Sequence, residues 1–211
     1  MDYAVEGAYR CGRYSGLITT VAAGTDSAGH LWAAEWLLSA AQQLTDRRRV
    51  AVIQRLRVRA KTISGFTAAQ EFQIGLYKLN GVTATHAGGT VAAKEEKFNP
   101  VGMPNSLMSI RMANAAELTD GTHSALGDPL GADSYAELAA GATVPKGSAE
   151  IFMSTEDLTQ FPFVLTSGEG LLVRNEVLMG AGGTVRLCVE MDWLELQRYP
   201  VPTYSISRSI V

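Results

Sequence analysis

The sequence predicts an all-β chain, built as a jelly-roll-like antiparallel β-sandwich with extended N- and C-terminal arms. Two observations point there. Apolar residues recur with a period of two in segment after segment, which is the signature of strands with one face in a core. Turn signals built on Gly, Pro and Asn separate these segments at spacings of roughly 8–15 residues, with little helical periodicity between them.

Taken in order, residues 1–16 carry Tyr3, Tyr9 and Tyr14 among Gly7, Gly12 and Gly16 and read as an extended arm or an edge strand. Gly24 to Gly29 is a turn. His30 to Leu38 is apolar on both parities, so strand and short helix compete, and Trp32 and Trp36 favour strand. Arg47 to Ile63 is the clearest strand. Val52, Leu56, Val58 and Ala60 fall on one parity, and Arg55, Arg57, Arg59 and Lys61 on the other. Glu71 to Leu79 alternates again through Phe72, Ile74 and Leu76. Asn80-Gly81 and Gly88-Gly89 bracket a loop. Ser106 to Ala113 predicts a strand with Met108, Ile110 and Met112 on one face and Arg111 on the other. Residues 114–160 lack a clear period and predict a long excursion, with at most one short helix near Ser134–Ala140. Phe161–Thr166, Gly170–Val177 and Thr184–Leu196 are strands. In the last, Leu187, Val189, Met191 and Trp193 share a face, and Cys188, Glu190 and Asp192 the other. Pro200 and Pro202 exclude a regular central strand from the tail. The domain plan is therefore an arm over 1–16, a sandwich over 17–197 with its excursion at about 114–160, and a tail over 198–211.

The chain has 211 residues, 46% of them apolar and 18% charged, and a net charge of −3. That balance is globular and gives no general attraction to nucleic acid. No apolar run approaches the roughly 20 residues of a membrane helix, and Met1-Asp2-Tyr3 does not open a signal peptide. The expectation is a soluble protein made in a cytoplasm, with no membrane partner. Cys11 and Cys188 fit two free thiols better than a disulfide.

The cationic face of Arg55, Arg57, Arg59 and Lys61 must meet anions. A neighbouring strand can supply them, because Glu190 and Asp192 have the matching spacing of two. Alternatively, the face docks an acidic partner. It lacks the interleaved aromatics of a nucleic-acid surface. Gly180 to Thr184 contains a GxGG string, but a strand follows it, so it is a hairpin turn and not a phosphate loop. Asp26-Ser27 with His30 has no nucleophile elbow around it. His30, His86 and His123 stand apart with no metal-ligand spacing, and the cysteines form no CxxC, so no metal or cofactor is expected. Glu95-Glu96 and Glu156-Asp157 read as surface charge. Trp32, Trp36 and Trp193 read as core or interface anchors, with a sugar-stacking platform as the other reading. Tyr204, Ile206, Ile210 and Val211 in the tail, like Tyr9 in the arm, need something to pack against, and a neighbouring subunit is the natural surface.

A resemblance runs through most of the chain. It is carried by Gly7-Ala8-Tyr9-Arg10, Trp36, Ala51-x-Ile53-x-Arg55, Gly65-Phe66-Thr67-Ala68-Ala69-Gln70-Glu71 and Gly88-Gly89-Thr90. It continues through Ser109-Ile110-Arg111-Met112-Ala113, Ala116-x-Leu118-Thr119-x-Gly121-Thr122, Phe161-Pro162-Phe163-Val164-Leu165 and Gly168-Glu169-Gly170 with Val173-Arg174-Asn175. Gly183-Thr184 and Val189-Glu190-x-Asp192-Trp193-x-Glu195 complete it. This ordered set resembles a group of tailed-bacteriophage virion structural proteins. The resemblance implies a β-rich, trimeric particle component with no catalytic residues, made in the host bacterial cytoplasm and carried in the virion. The specific expectation is a non-enzymatic capsid decoration or cement protein, bound to the major capsid protein or other virion proteins. Its partner-binding residues would be Arg55, Arg57, Arg59, Lys61, Tyr9, Tyr204 and Ile206. A collar, tail or fibre-base component and a glycan-binding module for host attachment are the other readings.

Overall fold

The computed structural model describes residues 8–21, 29–40, 50–64, 66, 70–91, 106–113, 117–137, 148–154, 163–177 and 184–196. Among them run eleven strands: β1 (Ala8–Val21), β2 (His30–Trp36), β3 (Val50–Ser64), β4 (Gln70–Asn80), β5 (Thr90–Val91), β6 (Ser109–Met112), β7 (Ala125–Glu137), β8 (Ser148–Ser154), β9 (Phe163–Leu165), β10 (Glu169–Asn175) and β11 (Thr184–Leu196). Every pairing between them is antiparallel. The first sheet has the order β1-β11-β3-β8, with β9 also on β3, and the second has the order β5-β6-β2-β10-β4-β7. The two sheets pack against each other as an all-β sandwich. Counting β1, β2, β3, β4, β7, β8, β10 and β11 from one to eight gives 1-8-3-6 in one sheet and 2-7-4-5 in the other. The chain thus changes sheets at almost every step, and both inner faces contribute to one core.

That core follows the alternation in the sequence. Leu187, Val189, Met191 and Trp193 of β11 are buried, while Cys188, Glu190 and Asp192 between them are partly exposed. Leu56, Val58 and Ala60 of β3 point inward in the same way, as do Met108, Ile110 and Met112 on and beside β6. Trp32, Trp36 and Trp193 are fully buried. All seven residues of β2 are buried, which explains why both of its parities are apolar: loops cover its second face.

Two bulges change the parity read from the sequence. In β3, Arg55 pairs with Asp192 but Ile53 pairs with Trp193, leaving Gln54 as the extra residue. One inserted residue flips every side chain beyond it. Ile53 and Ala51 therefore join the main core, and Val52 leaves the face of Leu56 for a small separate cluster with Val50, Val164 and Leu194. In β2, Trp32 pairs with Val173 and His30 with Arg174, leaving Leu31 extra. His30 consequently takes the parity of Ala33 and Glu35 and not that of the tryptophans.

The stretch 114–160 departs from the expected irregular excursion. It contains β7 and β8, and Ser134–Glu137 is strand where a short helix was expected. The composition of β7 hides it: Pro129 and two glycines interrupt any period. Pro129 is tolerated because β7 is the edge of its sheet, and the register slips beside it, between Leu76↔Gly131 and Tyr77↔Pro129. Tyr135 anchors this edge, its ring 5.3 Å from Phe72 and its hydroxyl 2.9 Å from Thr62 Oγ1.

Of the two forms expected for residues 1–16, residues 8–16 take the edge strand, pairing along β11 from Ala8↔Leu196 onward. The Tyr9 side chain and the whole 198–211 tail, with Tyr204 and Ile206, lie outside the described residues. Among the described residues, no helix is long and apolar enough to cross a membrane.

Candidate functional site

Two polar constellations lie on this frame, each on a sheet face turned away from the core. The first is the cationic ladder of β3. Because β11 and β8 flank β3, their outward residues stand beside the arginines. Arg55 Nε lies 3.0 Å from Asp192 Oδ2, Arg57 Nε 2.6 Å from Glu150 Oε1, and Arg59 Nη2 2.9 Å from Glu190 Oε1. Glu190 and Asp192 are the acids that the spacing in the sequence indicated. Glu150 on β8 was missed, because β8 itself was hidden in the irregular stretch. The Glu150 hydrogen bond raises the Arg57 pKa above its ordinary value. The pairs are half-exposed, so Arg55–Asp192 and Arg59–Glu190 contribute roughly 0.2–1 kcal/mol each. Lys61 is different. It faces Arg186 directly across the β3–β11 pairing, and both are exposed with no acid paired to either among the described residues. Phe152 on β8, opposite Arg57, is 55% exposed.

The second constellation was not legible as a site. His30, His86 and His123 looked isolated, and the fold brings all three together. Gly88 and Gly89 turn the loop 81–89 back over the sheet. Gly89 holds φ +56°, and a Cβ there would lie 2.2 Å from the Met112 carbonyl oxygen, so only glycine fits. That loop pairs with the segment 117–124 through bridges Ala84↔Thr122 and Ala87↔Thr119. Gly121 allows the close approach; a Cβ at that position would lie 2.9 Å from the His86 nitrogen. Leu118 N–H donates to the His30 carbonyl and ties the segment to β2.

The geometry inside this cover is specific. The Glu35 carboxylate accepts the His86 backbone N–H at 2.8 Å through Oε2 and His86 Nδ1 at 2.9 Å through Oε1. Both side chains are buried, at 1% and 0% exposure. Since Glu35 occupies Nδ1 as acceptor, the hydrogen-bond pattern assigns a proton to His86 Nδ1. His86 Nε2 lies 2.8 Å from His30 Nδ1, which lies 2.7 Å from Asp120 Oδ1. Burial pushes His30 down to about 4; Asp120 opposes this, while His86, His123 and Arg174 add to the lowering. His30 is therefore neutral at pH 7. The His123 ring centroid is 6.4 Å from that of His30 and 6.1 Å from that of His86, and its buried Nδ1 has no hydrogen-bond partner among the described residues. His30, His86 and Asp120 each offer a ligand atom, all within 4.8 Å of one another.

Chemically, the ladder can orient a charged contact, and the histidine cluster can relay a proton or hold a cation. The histidines that stand apart in the sequence lie together in the fold. The clustered residues come from positions 30, 86, 120 and 123, which no local spacing rule connects. The tryptophans fall in the core, so Trp32 and Trp36 present no exposed ring for sugar stacking. Cys188 is a free, partly buried thiol. No protein-family model matches this sequence, and no curated protein matches it.

Proposed function

We propose that this chain is a structural protein of a tailed-bacteriophage particle, a decoration or cement protein that works by binding alone. A preformed domain present in many copies would bridge neighbouring capsid subunits and raise the free energy of separating them. The observation that carries the reading is the outer face of the first sheet. Three ion pairs run across it, and on the same face stand the exposed Lys61–Arg186 pair and the exposed Phe152. An apolar anchor on the same face as two cations with no acid partner among the described residues suits an acidic partner surface, with charge setting orientation and encounter rate. The strand orders 1-8-3-6 and 2-7-4-5 support a jelly-roll winding, an architecture that recurs in viral capsid proteins. Trimer formation and contacts from Tyr9, Tyr204 and Ile206 belong to the same proposal.

The experiment is add-back of purified protein to particles made without it. Reversing both cations, Lys61→Glu with Arg186→Glu, or truncating Phe152→Ala, leaves the circular dichroism spectrum unchanged and lowers the number of copies bound. Full occupancy by both variants overturns the role of this face. Deleting 199–211 is expected to weaken incorporation without unfolding the domain. A copy number that scales with capsid subunits marks a decoration protein. One that matches tail symmetry instead marks a collar, tail or fibre-base component.

A further inference from the structure

We propose that His30, His86 and Asp120 form a site for a divalent transition-metal ion, zinc being the best-suited, which ties β2 to the two loops folded over it. The donor set is two imidazole nitrogens and one carboxylate oxygen within 4.8 Å of one another. Nitrogen donors select a borderline transition metal over magnesium or calcium, which prefer all-oxygen sites. Zinc takes such ligands at about 2.0–2.2 Å and completes a tetrahedron with a fourth donor. His123 is a candidate for that donor, its buried Nδ1 having no hydrogen-bond partner among the described residues.

The surroundings of His86 are what a ligand needs and a casual hydrogen bond does not. Glu35 grips both its ring Nδ1 and its backbone N–H, in a fully buried pair. A carboxylate behind a histidine fixes the tautomer, aims the other nitrogen and raises its basicity. Binding requires that His30 turn a bare Nδ1 to the ion, its proton sitting on Nε2. The 2.8 Å contact between His30 Nδ1 and His86 Nε2 must open to about 3.3 Å to suit two ligands on a tetrahedral ion. That is a side-chain adjustment, and Asp120 is exposed enough to follow it. The nearby Arg174 cation is covered by Glu176, which accepts from Nε at 2.8 Å and from Nη2 at 2.9 Å. The three ligands come from β2, from loop 81–89 and from segment 117–124, so an ion would pin three pieces of chain at one point.

The test uses the full chain, stripped with a chelator and titrated with zinc by calorimetry near neutral pH. Binding of one equivalent of zinc, no response to magnesium, a raised melting temperature and the intense visible bands of tetrahedral cobalt(II) on substitution support the site. Asp120→Asn changes an exposed group and leaves the fold intact. It should weaken zinc binding, as should His30→Gln, and Glu35→Gln should weaken it by about 10–100-fold through the loss of ligand orientation. The proposal is overturned if the wild-type chain shows no saturable zinc binding. It is equally overturned if Asp120→Asn and His30→Gln both bind zinc as the wild type does, since the ion would then sit elsewhere.

Discussion

On the outer face of the first sheet, Arg55, Arg57 and Arg59 meet Asp192, Glu150 and Glu190 in pairs that water still reaches. On the outer face of the second, Glu35 and His86 meet under two loops at 1% and 0% exposure. Both regions place charged or titratable groups on a sheet surface, yet they differ in what holds them. The ladder is held by strand register alone, each cation sitting beside an acid on the next strand. The histidine cluster is held by loops that close over the sheet, and once water is excluded every donor needs a partner. The ladder can therefore be edited one residue at a time, while the cluster responds as a unit.

The largest expected effect breaks the buried side of this comparison. Glu35→Ala leaves the His86 ring and backbone donors without their acceptor inside the fold, and denaturant melts should show a loss of about 2–6 kcal/mol, at about 1–3 kcal/mol for each orphaned donor. If the loss were no larger than that of an exposed substitution, the loops would not be sealing the site. Next comes Arg57→Glu, which sets a carboxylate beside Glu150 and near Glu190. The melting temperature should fall, and added salt should recover part of it by screening the repulsion. A variant that melts like the wild type yet fails to bind particles would assign the ladder to docking instead of to sheet stability.

A smaller effect belongs to the turn end of the second sheet. Burial raises the Glu169 pKa, but Lys78 and the N–H and hydroxyl of Thr166 outweigh it, so the group is held below its ordinary 4.5. A carboxylate depressed in the folded state contributes stability that is fully present above its unfolded value and is lost as pH falls through the folded one. Glu169→Gln should therefore flatten part of the acid limb of a stability–pH curve, with its loss of stability greatest at neutral pH and vanishing as pH falls through the folded pKa. An identical acid limb in both proteins would show that the Lys78 contact does not survive in solution. The smallest effect is that of Asp120→Asn in the metal-free protein, within about 0.5 kcal/mol of the wild type by denaturant melt. Set beside the loss in Glu35→Ala, it separates the exposed end of the cluster from its sealed end.

Much of the fold was legible because strand alternation is a local signal. The inward faces of β6 and β11, the strand character of β2 and β3, and the turns at Gly81 and Gly88 all follow from residue types and spacing. β7 and β8 escaped because an edge strand with Pro129, and a short strand after it, need no strong apolar period of their own. The ladder was half legible: Glu190 and Asp192 matched the arginines by spacing, whereas Glu150 needed the pairing of β8 with β3.

The histidine cluster was illegible for a sharper reason. Parity in the sequence puts His30 with Trp32 and Trp36, and a bulge at Leu31 moves it to the face of Glu35. His86 and Asp120 reach that face only because their loops pair with each other. The sequence by itself determined that the chain is a β-sandwich, which faces of β6 and β11 turn to its core, and that a row of cations lies outside that core, because each rests on period-two patterning within one strand. The tertiary structure decided which acids meet those cations and that distant histidines share one buried site. Those contacts depend on sheet order, bulge position and loop closure, which join residues that no local spacing relates.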